Sequence, residues 1–247
     1  TMGEMFRDRR VRRTEEEHSI SQFQSFCTAL AATLGTGNIT GVAAALIAGG
    51  PGAIFWMWVS AFLGMMTIYA ENLLGIRYRY KNRKGEWVGG AMVYIERGLG
   101  CKWLAVLFAV FCIFASFGMG NMTQANSMAS GLKESLSIPP FITGAVVTLV
   151  VAAVILGGVK RIAAVTEKVV PFVALFYMAG GMLVLIHFRA EVPGAVRMIF
   201  EEAFRMKAVG GGVIGYGIRQ AMKIGISRGV FSNEAGLGSS VMAHAAS

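Results

Sequence analysis

Charge is scarce in this chain of 247 residues: only 15% are Asp, Glu, Lys or Arg. A typical soluble domain carries about a quarter. Hydrophobic residues make up 55% and mean hydropathy is +0.57, which argues against a water-soluble globule and excludes intrinsic disorder. Aspartate is almost missing, since Asp8 is the only one. The three cysteines, Cys27, Cys101 and Cys112, lack metal or redox spacing, and the histidines at 18, 187 and 244 are scattered. There is no Walker A string and no apolar stretch of signal-peptide type at the start. The 32 glycines follow no G-X-Y period, so collagen is excluded.

What is present is long uncharged runs. No charged residue occurs from Ser19 through Ala70, enough for two spans of about 20 residues each. Gly49-Gly50-Pro51-Gly52 marks the turn between them, placing helix 1 at about 22–48 and helix 2 at about 52–77. Helix 3 falls between Lys102 and Lys133 after a short amphipathic piece near 91–98. Helix 4 spans about 139–158 and helix 5 about 162–188. Residues 193–206 read as a surface helix, and a glycine-broken helix 6 occupies about 211–247. The organisation is therefore a basic segment at 1–21, five helices over 22–188, an amphipathic segment at 189–210 and the broken helix at 211–247.

The net charge of +9 sits in clusters between apolar runs, notably Arg7 to Arg13 and Arg77 to Lys84. None is interleaved with aromatics suited to stacking on bases, so nucleic acid is not an expected partner. Placing the N-terminus inside puts 15 Lys and Arg on the inner side and five outside, the bias of a multi-pass protein with a cytoplasmic N-terminus. The partner that composition does demand is the lipid bilayer.

Two interruptions carry the chemistry. Gly35-Thr36-Gly37-Asn38 stands in the middle of helix 1. It reads equally as close helix packing through Gly37 and Gly41 or as a discontinuous helix. In the second case free N–H groups near Asn38 suit an anion and carbonyls near Leu34 suit a cation. Ser232-Asn233-Glu234-Ala235-Gly236-Leu237-Gly238 repeats the feature in helix 6, and a carboxylate there is poor material for a lipid-facing helix. Helix 3 carries the amides Asn121, Gln124 and Asn126, which serve as glue between helices or as contacts to a polar substrate. Glu71 and Glu167 read as structural partners of inner Arg or Lys. Gly225-Ile226-Ser227-Arg228-Gly229 matches the nucleophile-elbow string but lacks a preceding strand and a triad, so the chain is not expected to be an enzyme.

Four strings resemble one family: Ser25 to Leu30 with Gly35-Thr36-Gly37-Asn38-Ile39, Gly50 to Trp58, Gly120 to Asn126, and Arg228 to Gly236. They look like the alanine/glycine:cation symporters, also called the sodium:alanine symporter or amino-acid carrier family. The resemblance implies an all-α polytopic membrane protein of the leucine-transporter-type fold, an inverted five-plus-five repeat, here truncated after core helix 6 and without the family's first hydrophobic helix. It implies sodium-coupled uptake of alanine or glycine across a prokaryotic cell membrane, with Na⁺ as coupling ion and no other cofactor. The substrate carboxylate would meet Thr36, Gly37 and Asn38. Gln124 would reach in from helix 3, Phe231 would wall the pocket, and Asn233 and Gly236 would lie in the helix 6 break. The carbonyls of Ala31 and Leu34 would give part of a sodium site. The rival readings are a proton-coupled transporter and a non-transporting membrane module.

Overall fold

The structure is a computed structural model describing residues 20–83, 85–204 and 216–246. The basic segment at 1–19 and the stretch 205–215, where the surface helix and helix 6 were expected to end and begin, lie outside the described residues. In chain order come α1 (Gln22–Thr33), a 3₁₀ turn (Thr36–Asn38), α2 (Thr40–Gly49) and α3 (Gly52–Tyr78). A two-residue-per-strand antiparallel hairpin follows, β1 (Tyr80–Lys81) and β2 (Trp87–Val88), with Tyr80 opposite Val88 and Lys81 opposite Trp87. Then come α4 (Ala91–Leu99), α5 (Lys102–Ala115), a π-helical segment (Ser116–Met122), α6 (Thr123–Leu136), α7 (Pro140–Ile155), α8 (Gly158–His187), α9 (Val192–Ala203), α10 (Tyr216–Asn233) and α11 (Ser239–Ala245).

Among the described residues, three helical stretches are long and apolar enough to cross a bilayer: α3, the continuous run Lys102–Leu136, and α8. Their large apolar side chains face outward, with Phe62 69%, Met66 71% and Phe176 73% exposed. In water such surfaces would drive aggregation; against acyl chains they cost nothing. Helices 1 and 6 of the sequence reading are each two helices, α1–α2 and α10–α11. Helix 4 is α7 and is shorter than expected, opening on Pro140 because a first-turn proline gives up no needed N–H.

The chain divides into two compact units. One comprises the described part of Thr1–Ala32 with Ala70–Pro171 and Gly238–Ser247; the other comprises Thr33–Tyr69 and Phe172–Leu237.

In the first unit α11 lies on α1. The Ser25 hydroxyl donates to the Ala243 carbonyl at 2.9 Å and lies 3.2 Å from His244 Nδ1. Ser25, Cys27 and Val241 are fully buried there. A Cβ on Gly75 would strike Val241 and one on Gly89 would strike Ala245, so glycine is what lets α3 and the hairpin approach α11. Polar pairs tie α1 to the start of α8: Gln24 Nε2 donates to Glu167 at 2.9 Å, and the Thr28 and Thr166 hydroxyls are 3.0 Å apart. Glu167 was expected to pair with an inner Arg or Lys, and the contact described here is with the Gln24 amide.

In the second unit α2 and the first part of α3 pack on α10, and α3 packs on α9. Gly225 and Gly229, four apart on α10, meet Ala53, Trp56, Met57 and Ser60 of α3. The Gly225–Gly229 string is thus a small-residue helix contact on a continuous helix, with no strand-to-helix turn. Trp56 Nε1 donates to the Ala203 carbonyl at 3.3 Å, and Phe55 stands edge-on to Phe204 with ring centroids 5.0 Å apart.

Candidate functional site

The helix 1 interruption is a true break, built by backbone chemistry. Gly35 is extended (φ −127°, ψ −168°), which ends the α-helical ladder. Its N–H turns back to the Thr33 carbonyl at 3.1 Å. Asn38 N–H then bonds the Gly35 carbonyl and Ile39 N–H the Thr36 carbonyl, both at 3.1 Å, closing the 3₁₀ turn. The Thr40 hydroxyl caps the same Thr36 carbonyl at 2.9 Å. The orphan N–H groups that every α-helix presents in its first turn fall in α2 at Thr40, Gly41 and Val42.

Asn38 is committed on both ends of its amide. Nδ2 donates to the Thr33 carbonyl at 2.7 Å. Oδ1 accepts from the hydroxyl of Ser232, a buried residue near the end of α10. The expectation that a substrate carboxylate meets N–H groups near Asn38 therefore needs narrowing. The Asn38 N–H is spent inside the turn, so the donors nearest it fall at Gly37 and in the first turn of α2.

Gly37 is buried, and here the break goes together with close packing at this one glycine. A Cβ there would lie 3.1 Å from the Phe231 ring, so the glycine lets α10 pack against the break while the break itself interrupts the helix. Gly41, its supposed packing partner, would meet only the Thr36 carbonyl at 3.9 Å.

The second break lies between Asn233 and Ser239. Glu234 stands in the left-handed region (φ 54°), a conformation that costs a non-glycine residue about 1 kcal/mol or more. Gly236 (φ 85°) and Gly238 (φ 73°) occupy the same region without that penalty. The Leu237 N–H closes the turn on the Glu234 carbonyl at 3.2 Å.

Thr36, Gly37, Asn38, Phe231, Asn233 and Gly236 all fall in one unit, with Leu34. Phe231 packs on Gly37, and Asn233 helps line a cavity of about 380 Å³ with Thr33, Trp58, Ala61, Phe62, Met65 and Ile68. Among the described residues that line it, none is charged. Gln124 and Ala31 fall in the other unit. Gln124 is half-buried in the first turn of α6, just after the π-helical segment, whereas Asn121 and Asn126 are exposed. Between Ala31 and Leu34, the Thr33 carbonyl already accepts two donors, Gly35 N–H and the Asn38 amide.

Two features escaped the sequence reading. Along the chain Ser232 is only one residue of the Arg228-to-Gly236 string. The π-helical segment Ser116–Met122 has a sequence signal only in hindsight, Gly118-x-Gly120-Asn121; such segments recur at functional sites. Outside the spans, Tyr94 on α4 has its pKa raised, first by burial and then by the Glu71 carboxylate.

Comparison with known proteins agrees with the motifs. The family model described as the sodium:alanine symporter family matches residues 1–247. The sodium/alanine symporter AgcS of Methanococcus maripaludis is 50% identical over 234 residues, covering 93% of this chain and 51% of that protein. An uncharacterized transporter of Haemophilus influenzae is 49% identical over 228 residues, 92% of this chain and 50% of that protein. A "probable sodium/glutamine symporter", GlnT of Bacillus subtilis, is 39% identical over 227 residues, 92% of this chain and 46% of its own length. The chain spans about half the length of the curated relatives it matches. With this match over its whole length and an all-α membrane architecture, the chain belongs to the sodium:alanine symporter family.

Proposed function

We propose that this chain is the substrate-binding part of a sodium-coupled symporter that brings a small neutral amino acid, alanine or glycine, into a prokaryotic cell. In this reading it is a multi-pass protein of the cell membrane with its N-terminus inside, and it catalyses no covalent chemistry. The fold is of the leucine-transporter type. Residues 22–188 form the first repeat, 189–210 the outer amphipathic segment, 211–247 the opening of the second repeat, and 1–21 a cytoplasmic lead.

One pairing supports the repeat. α1 packs on α11 in one unit and α2 packs on α10 in the other. Each time the first half of one broken helix meets the second half of the other. An inverted repeat, in which one broken helix is the counterpart of the other, is compatible with these two contacts.

The observation that carries the function is the Asn38–Ser232 link, which joins the two breaks by a buried polar contact. Breaks of this kind present helix ends to ions and zwitterions inside a bilayer. The substrate carboxylate is assigned to the break, at Gly37 and the first turn of α2, with Thr36 beside it and Asn38 holding the break in shape. Phe231 is assigned to the wall of the pocket, Asn233 and Gly236 to its border, and Gln124 of α6 is assigned as a further substrate contact. The Ala31 and Leu34 carbonyls are assigned to part of a sodium shell, where carbonyl oxygens are the fitting donor type for a hard cation.

The test is uptake by the product of the whole gene in proteoliposomes under an imposed sodium gradient. Alanine or glycine accumulation that collapses when sodium is equal on both sides is the expected result. Accumulation driven by a pH gradient without sodium would replace the coupling ion, and no accumulation under either gradient would leave the non-transporting module.

A further inference from the structure

The inner end of α3 continues into a compact cluster of cations and aromatic rings that transport, as proposed above, does not use. Arg77 ends α3, Arg79 and Lys81 lead into the hairpin, Arg83 sits in its loop, and Arg97 lies in the last turn of α4. Their partners are rings. The Arg97 guanidinium lies 4.1 Å from the Tyr80 ring centroid. Arg79 and Lys81 both face the Trp87 ring, at 4.3 and 5.0 Å. Pleating explains the division, because Lys81 lies opposite Trp87 while Tyr80 alternates to the other face.

Arg79 is the inward member, half-buried and donating to the Ala245 carbonyl at 3.3 Å. Arg77, Lys81, Arg83 and Arg97 are exposed. Among the described residues none of these four makes an ion pair, and the nearby Glu86 takes the Asn82 amide at 3.0 Å. Leu73 and Ile76, in the α3 turns just before the cluster, are 57% and 46% exposed apolar surface. Bare cations at the head of an apolar, outward-facing helix end are the complement of one molecule: an anion with acyl chains attached.

We infer that Arg77, Lys81 and Arg97 form a binding site for the headgroup of an anionic phospholipid of the inner leaflet, whose acyl chains lie along Leu73 and Ile76. The rings hold the cations at headgroup level without neutralising them, as cation–π contacts do and carboxylates would not. Each cation near a negatively charged surface contributes roughly a fivefold gain in affinity. The site rests on the membrane reading and the inside orientation, not on transport, so its test reads lipid retention alone.

The chain is purified in zwitterionic detergent with phosphatidylglycerol and phosphatidylcholine supplied in equal amounts, and bound lipid is counted by native mass spectrometry. Selective retention of phosphatidylglycerol is expected, with roughly a fivefold loss for each of Arg77→Gln, Lys81→Gln and Arg97→Gln. Arg197→Gln, a surface cation already paired with Glu201 at 2.5 Å, should retain the lipid like the parent. Folding of each variant is checked by elution volume and circular dichroism, and for any variant that misfolds, titrating the parent with salt replaces it. Selective retention that weakens steeply as salt rises supports the site. Equal retention of the two lipids, retention unchanged by the substitutions and by salt, or displacement by glycerol phosphate at the same concentration would overturn it.

Discussion

The amide of Asn38 accepts the hydroxyl proton of Ser232, so the interruption in the first broken helix and the end of α10 share a buried hydrogen bond. The same amide donates to the Thr33 carbonyl, where α1 ends. One side chain thus holds a helix end and the neighbouring broken helix together. In the middle of a bilayer such freed backbone groups have no water to turn to, and internal partners must serve.

Removing that link should loosen the site before it unfolds the protein. Ser232→Ala deletes one neutral hydrogen bond, about 0.5–1.5 kcal/mol, while Asn38→Ala also strips a donor from the Thr33 carbonyl and should cost more. In thermal unfolding in detergent, the double variant should lose less than the two single losses added together, because the shared bond can be lost only once. Strict additivity would mean the two residues act separately.

Glycines on α10 should be intolerant where α3 approaches. Gly225→Ala places a methyl against the Ala53 carbonyl and the Trp56 side chain, and overpacking of this kind costs about 1–3 kcal/mol. Gly180→Ala on α8 meets nothing within 4 Å among the described residues and should be neutral or slightly stabilising. A lower melting temperature for the second variant than for the first would contradict the packing described.

Gln124 separates substrate contact from helix glue. In the whole gene product, Gln124→Ala should raise the apparent substrate constant roughly threefold to tenfold with protein levels unchanged, the worth of one hydrogen bond. An unchanged constant with reduced stability would make it a structural side chain.

Orientation is testable at two loops. A cysteine at Ser137, in the left-handed cap after α6, should react with a membrane-impermeant thiol reagent added to whole cells. A cysteine at Asn82, in the hairpin loop, should react only after the membrane is opened. The opposite pattern would invert the topology.

Much of this architecture was readable along the chain. The uncharged run from Ser19 to Ala70 demanded a bilayer, and Gly50-Pro51 placed the turn between α2 and α3 correctly. Both interruptions were visible because glycine pairs and polar side chains oppose helix continuation in an apolar run. Less visible was which group each residue in the break would satisfy. N–H groups near Asn38 were expected to face a ligand, and the Asn38 N–H itself is taken by an acceptor inside the turn. That acceptor is the Gly35 carbonyl three residues back.

By itself the sequence determined what is local: composition set the solvent, glycine and proline set the ends of helices, and the motif strings set the family. Tertiary structure alone decided what depends on residues far apart. Only packing could bring Ser232 to Asn38, or put the Phe231 ring where a side chain on Gly37 would stand. It also turned a string resembling a catalytic elbow, Gly225 to Gly229, into a contact face against α3. The physical reason is one of range. Backbone preference acts over a turn or two of chain, whereas a hydrogen bond or a van der Waals contact depends only on distance in space.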